Sequence, residues 1–256
     1  MRGRTALVTG ASAGIGAEFA RRLAARGAHL VLVARRGDRL EELATEIRGA
    51  HGVRVRVLPF DLSRSDAGRE LRARISEDVH VVVNNAGFAS YGAFLEQEPE
   101  RLEGQILVNV AALTDISRAF LPGMVARGEG ALLNIASMAA YAPTPSMPVY
   151  GATKAYVLNF TEALAYQLRD TPVRVLVFSP GATESEFYDV VGTRDAGGGR
   201  WETPAQVVTN ALRALDRPRT PSAVSGRGNA LGAAVMRLIP RHALVNLYGR
   251  LTYRVA

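Results

Sequence analysis

Cysteine is absent from this 256-residue chain, which excludes disulfides and thiolate metal sites. Histidine is scarce: His29, His51, His80 and His242 show no metal-ligand spacing, so no metal site is expected. No apolar run approaches the roughly 20 residues that a membrane-spanning helix needs. Met1-Arg2-Gly3-Arg4 leads straight into an apolar strand pattern with no room for a signal segment, and a soluble, cytoplasmic protein is the expectation. Internal repeats, low-complexity tracts and interdomain linkers are missing too, so residues 1–256 read as a single domain. Finally, no acidic residue follows Asp216.

What is present alternates between two patterns. Continuous Val/Leu/Ala runs predict seven strands near 5–9, 28–34, 53–59, 79–83, 131–136, 173–179 and 222–225. Helical patterns lie near 15–26, 38–49, 66–77, 100–126, 149–169, 204–215 and 229–253, the last broken at Pro240. This order predicts an α/β fold: a Rossmann-type, doubly wound parallel sheet flanked by helices. The glycine-rich stretch Gly192–Gly199 is the clearest flexible element.

The first strand runs into Thr9-Gly10-Ala11-Ser12-Ala13-Gly14-Ile15-Gly16 and then a helical pattern. Gly10, Gly14 and Gly16 permit a tight turn, and backbone N–H groups near Ser12 and Ile15 at the helix start can approach a phosphate that the helix dipole also favours. The Gly-x3-Gly-x-Gly spacing differs from the usual Gly-x-Gly-x-x-Gly, but strand, turn and helix come in the order a dinucleotide site requires. At the end of the second strand stand Arg35 and Arg36, where such folds meet the adenosine ribose. An acidic residue there would accept from a 2′-hydroxyl, whereas arginine pairs with a 2′-phosphate, so NADP(H) is expected in preference to NAD(H). A solvated arginine starting a helix is the competing reading, strongest for Arg36.

Tyr150 and Lys154 are four residues apart, about 6 Å of helical rise, and share one helix face. An ammonium beside a phenol favours the phenolate and makes an acid/base device. Alone, the pair equally describes ordinary surface neighbours. Thirteen residues before Tyr150, Ser137 closes the run Ala131–Ala136 and puts a hydroxyl at the carboxyl edge of the sheet, where the three side chains can converge.

Thr9–Gly16, Asp61-Leu62, Asn84-Asn85-Ala86-Gly87, Asn109, Ser137, Tyr150 with Lys154, and Pro180-Gly181, in this order, resemble the short-chain dehydrogenase/reductase family over residues 4–216. The resemblance implies hydride transfer at a nicotinamide, with Tyr150 as acid/base, Lys154 lowering its pKa and holding the ribose, Ser137 orienting the substrate carbonyl and Asn109 supporting a water. It further implies that Asp61 and Leu62 meet adenine, that Asn84, Ala86 and Gly87 lie beside the cofactor, and that Pro180, Gly181 and Thr183 meet the carboxamide. Read from the residues alone, Asp61 is equally a turn aspartate, Asn109 a structural buried amide, and Gly87 and Gly181 turn glycines. The family also implies a homodimer or homotetramer built on the helices near 100–126 and 149–169.

Seven of the 31 basic residues, Arg217, Arg219, Arg227, Arg237, Arg241, Arg250 and Arg254, follow Asp216, and none of the 24 acidic ones does, so the +7 charge sits wholly in residues 217–256. Leu231, Val235, Leu238, Ile239, Leu244, Val245, Leu247 and Leu251 make this segment amphipathic. A wall over the substrate cleft, a subunit contact, and a membrane-surface or acyl-carrier contact all fit, beside the plain reading of a packed terminal helix. The chain lacks the Asp-Gly-Gly ending common in the family's tetrameric acyl-carrier ketoreductases. Apolar and aromatic residues dominate Phe88–Tyr91, Tyr141–Pro148 and Glu184–Trp201, the expected substrate walls, so the substrate is expected to be a hydrophobic ketone or aldehyde, 3-oxoacyl chains included. The alternative is a catalytically silent NADP(H)-sensing regulator; nucleic-acid binding is not expected, since the arginines lack a reading motif.

Overall fold

The apolar runs form strands covered on both faces. β1 (Thr5–Thr9), β2 (His29–Ala34), β3 (Val55–Pro59), β4 (Val79–Asn84), β5 (Ala131–Ile135), β6 (Arg174–Ser179) and β7 (Ser222–Val224) pair in parallel, in the order β3-β2-β1-β4-β5-β6-β7. This is the doubly wound Rossmann-type sheet expected from the alternation. The computed structural model describes residues 1–197, 200–217 and 220–252, and side chains as far as Arg250. Gly198 and Gly199 of the glycine-rich stretch, Arg219, Arg254 and the Leu251 side chain lie outside the described residues.

The helices are α1 (Gly14–Ala25), α2 (Gly37–His51), α3 (Ala67–Arg74), α4 (Pro99–Ile106), α5 (Leu113–Arg127), α6 (Pro148–Gln167), α7 (Phe187–Val191), α8 (Pro204–Asp216), α9 (Arg227–Met236) and α10 (Arg241–Thr252). On one face of the sheet, Phe19, Leu23, Leu40, Ile47, Val207 and Leu212 from α1, α2 and α8 pack on Val81 and Val83. On the other, Leu71, Ile116, Phe120 and Met124 from α3 and α5 pack on Val82, as the two-residue period of a strand requires.

The helix expected over 100–126 is a rod from Pro99 to Arg127 in which a π-helical turn, Leu107–Ala112, joins α4 to α5. By length and composition it could cross a membrane, at 29 residues and a mean hydropathy of 1.2, with 39% of its most apolar window buried in this fold. The break foreseen at Pro240 separates α9 from α10. α7 was not foreseen.

β1 and β4 are neighbours, and the chain winds outward from them in both directions. Their carboxyl ends therefore diverge into a crevice, the place where such sheets bind ligands.

Candidate active site

A cleft of about 1030 Å³ runs along the carboxyl ends of the strands, from Arg35 and Arg36 after β2 to Pro180 and Gly181 after β6. That volume is at the upper end of small-molecule sites, which run to roughly 1,000 Å³. Gly10, Ser12, Gly14 and Ile15 form its floor beside Ala86 and Gly87. Gly10 adopts φ +64°, and a Cβ there would lie 2.9 Å from Ala86 Cα, so the turn presses directly on the end of β4. Gly16 does not line the cleft: a Cβ at that position would lie 2.2 Å from the Gly10 carbonyl oxygen, so this glycine seats α1 on the turn. α1 begins at Ala13 without a side-chain cap and without an acidic residue in its first turn, leaving amides there available to an anion.

Arg35 and Arg36 both line the rim. Arg36 donates to Ser12 Oγ at 3.1 and 3.3 Å and pairs with Glu186 at 2.8 Å, so it links the glycine turn to the segment after β6. Asp61 and Leu62 line the adjacent wall. Asp61 Oδ1 also accepts from Ser63 N at 3.0 Å and Ser63 Oγ at 2.8 Å. Those bonds, with a smaller contribution from the nearby Arg35 charge, hold its carboxyl below the usual carboxylate range.

Asn84 departs from the reading that put it beside the cofactor. It is buried inside the fold and donates to Ser117 Oγ at 3.2 Å and Asn134 Oδ1 at 3.0 Å. The following residue, Asn85, reaches the cleft and ties β4 to β1 through the carbonyls of Thr9 and Gly10. Strand parity decides this: Asn84 is the last residue of β4 and falls on the Val82 side, facing α5.

Ser137, at the end of β5, and Tyr150 and Lys154, on α6, meet in the cleft. Lys154 Nζ lies 5.8 Å from the centre of the Tyr150 ring and donates to the Ile135 carbonyl at 2.8 Å. The pKa direction expected from the pair is reversed. Burial pushes the Tyr150 phenol above its ordinary value, and a hydrogen bond with the Ser137 hydroxyl offsets part of that rise. Burial likewise lowers the Lys154 ammonium from 10.5 to about 8, so the cation that was to pull the phenol down is itself weakened.

Asn109 lies on the π-helical turn, is 1% exposed and does not line the cleft. Its amide accepts from Phe88 N at 3.1 Å and donates to Phe88 O and Thr153 Oγ1, both at 3.0 Å. It therefore clamps the segment after Gly87 to α6 one turn from Tyr150, and a Cβ on Gly87 would sit 3.0 Å from its Oδ1. Pro180, Gly181 and Thr183 complete the wall after β6.

Two groups of lining residues were expected only as stretches, without particular side chains. α7 brings Phe187 to 5.6 Å from Tyr150, centroid to centroid, and Tyr188 packs tilted against Trp201 with centroids 4.5 Å apart. Both belong to the expected Glu184–Trp201 wall, but five residues are too few to show a helical period. Asn229, Gly232, Met236 and Tyr248 of the basic segment close the opposite side, and only the amphipathic pattern hinted at it. Among the described residues no cluster of acidic or histidine side chains could hold a metal ion.

Known proteins share this arrangement. Residues 4–195 match the sequence profile of the short chain dehydrogenases. A very-long-chain 3-oxoacyl-CoA reductase of Laccaria bicolor is 37% identical over 68% of this chain and 53% of its own length. The human inactive hydroxysteroid dehydrogenase-like protein 1 is 37% identical over 64% of this chain and 51% of its own. The chain thus spans about half the length of these two relatives. The solved structure of a short-chain dehydrogenase from Sphingobium yanoikuyae in complex with NADPH superposes with a TM-score of 0.81, 37% identity, and coverage of 92% of this chain and 94% of that one. With its profile match, its fold and its relatives in agreement, the chain belongs to the short chain dehydrogenase family of oxidoreductases.

Proposed function

We propose that this protein reduces a hydrophobic ketone or aldehyde with NADPH, or oxidises the corresponding alcohol with NADP⁺. The observation that carries the reading is the meeting of Ser137, Tyr150 and Lys154 in one cleft with an uncapped, glycine-seated helix start. The residues fit a dinucleotide: the first turn of α1 can hold a pyrophosphate, Lys154 can reach a ribose hydroxyl, and the guanidinium groups of Arg35 and Arg36, on the cleft rim, can pair with a 2′-phosphate. When bound, the nicotinamide supplies the hydride.

The protein manages the proton. A buried phenol with a raised pKa is fully protonated at neutral pH, so Tyr150 is loaded as the acid that protonates a carbonyl oxygen. Ser137 donates to the same oxygen, and the Lys154 ammonium stabilises the phenolate left behind. Phe187, Met147 and Met236 line the substrate end and favour an apolar group there. The neighbour in complex with NADPH supports the cofactor, and the 3-oxoacyl-CoA reductase relative supports the substrate class. Exposed Ile106, Tyr156 and Tyr166 on the π-joined rod and α6 support assembly into a dimer or tetramer through those helices.

The inactive human relative favours a second reading, a silent NADP(H)-binding protein. A panel of aliphatic, aromatic and 3-oxoacyl ketones assayed by loss of NADPH absorbance separates the two. Turnover that falls by about 10²-fold or more in Tyr150→Phe supports the reductase; NADPH binding without turnover on any ketone supports the silent protein.

A further inference from the structure

α9 has two apolar faces, and only one of them is covered. Gly232 and Met236 line the cleft and Ala233 is buried. On the far side, Leu231 and Val235, at i and i+4, are 68% and 46% exposed, and Leu238, in the turn that follows the helix, is 84% exposed. A surface helix normally turns such a stripe inward. α10 extends the feature with exposed Val245 and Leu247 flanking its buried Leu244.

The segment that carries this stripe has charges of one sign. Arg227, Arg241 and Arg250 are exposed, and among the described residues none of them pairs with a carboxylate. Arg237 is engaged with Glu162 at 3.5 Å and lies 5.2 Å over the Tyr141 ring, anchoring the α9–α10 hairpin to the body of the protein. A second copy of this chain would be a poor cover, because a two-fold contact would set these arginines against their own images. An anionic lipid surface satisfies both properties at once: headgroups take the arginines, and the acyl boundary takes the leucines.

We infer that the α9–α10 hairpin docks this protein on membranes rich in anionic lipid. The stripe lies on the back of the helix that walls the cleft, so docking would put α9 between the bilayer and the cleft. The inference rests on this surface alone and not on the substrate class proposed above, so vesicle binding and ketone turnover succeed or fail separately.

The test is co-sedimentation of the full chain with phosphatidylcholine vesicles, with and without phosphatidylglycerol, at low and high salt. Binding is expected only with phosphatidylglycerol and is expected to weaken with salt. Leu238→Asp should weaken it at least tenfold, and Arg241→Glu about fivefold or more. Arg39→Glu, an equal charge change on α2 at the opposite end of the sheet, should leave it unaltered. Circular dichroism melting checks that the variants fold, which the exposure of these side chains favours. Absence of binding to anionic vesicles overturns the inference, as does equal binding by Leu238→Asp. A particle mass in light scattering that halves in Leu238→Asp, without vesicle binding, assigns the stripe to a second copy instead; retention by an acidic protein alone assigns it to that partner.

Discussion

Replacing Lys154 with methionine should stabilise the fold at neutral pH while removing catalysis. Burial lowers this ammonium from 10.5 to about 8. At about 1.4 kcal/mol per pH unit, holding the charge inside costs the folded state about 3 kcal/mol below pH 8. Between pH 8 and 10.5 the unfolded chain binds a proton that the folded chain does not, so stability rises with pH across that window and the cost is gone above it. Methionine fills similar volume without charge, but it abandons the 2.8 Å bond to the Ile135 carbonyl, a loss of about 1–2 kcal/mol. The net gain at pH 7 is then about 1–2 kcal/mol, which for a chain of this size raises Tm by about 2–8 °C. Near pH 10.5 the gain should vanish and reverse by the value of the lost hydrogen bond. Thermal melts of both proteins at pH 7 and above pH 10, alongside NADPH-dependent turnover, measure all of this. A variant that melts lower than the parent at neutral pH, or a Tm difference that ignores pH, would refute the argument that desolvation dominates at this lysine.

Arg35→Glu should cut the preference for NADPH over NADH by about tenfold or more, since a charge-assisted bond to a 2′-phosphate contributes about 1.5–3 kcal/mol; the ratio of kcat/KM values for the two cofactors reads it directly. Gly16→Ala should cost about 1–3 kcal/mol and weaken cofactor binding, because its Cβ would meet the Gly10 carbonyl at 2.2 Å; melting and fluorescence titration with NADPH test both halves. Gly49→Ala, at an exposed position of α2 with nothing within 4 Å of the added methyl, should instead gain about 0.5–1 kcal/mol in urea denaturation. Asn109→Ala should cost about 2–4 kcal/mol, since it leaves both Phe88 backbone groups without their partner, and an unchanged urea midpoint would deny it the clamping role.

The sheet could be read from the chain because its strands are buried on both faces and so appear as unbroken apolar runs. β1 falls on residues 5–9 as expected, and the other strands shift by only one or two residues at their ends. The helix break at Pro240 followed from the missing N–H. Three things could not be read so directly. Ser137, Tyr150 and Lys154 meet in one cleft as their order along the chain suggested, but the pKa of the phenol depends on how much water the fold removes, which spacing does not encode. The neighbours Asn84 and Asn85 look interchangeable in the sequence, yet their opposite parity sends one into the interior and the other into the cleft. The π-helical turn left no mark either, since Leu107-Val108-Asn109-Val110 is apolar enough to suit any helical pitch.

That turn also fixes how the two halves of the rod can change over evolutionary time. One extra residue in a helical turn rotates everything before it by about 100° relative to everything after it. Here the earlier half presents Glu100 and Gly104 to the cleft, while the later half keeps Ile116, Phe120 and Met124 in the core. Losing a single residue from 107–112 would spare the core and swing the mouth of the cleft through a quarter turn, carrying Asn109 off Phe88. The segment thus works as an indexing joint: insertions and deletions there re-aim the substrate side without rebuilding the scaffold, and a one-residue length change among relatives should coincide with a change in what they accept.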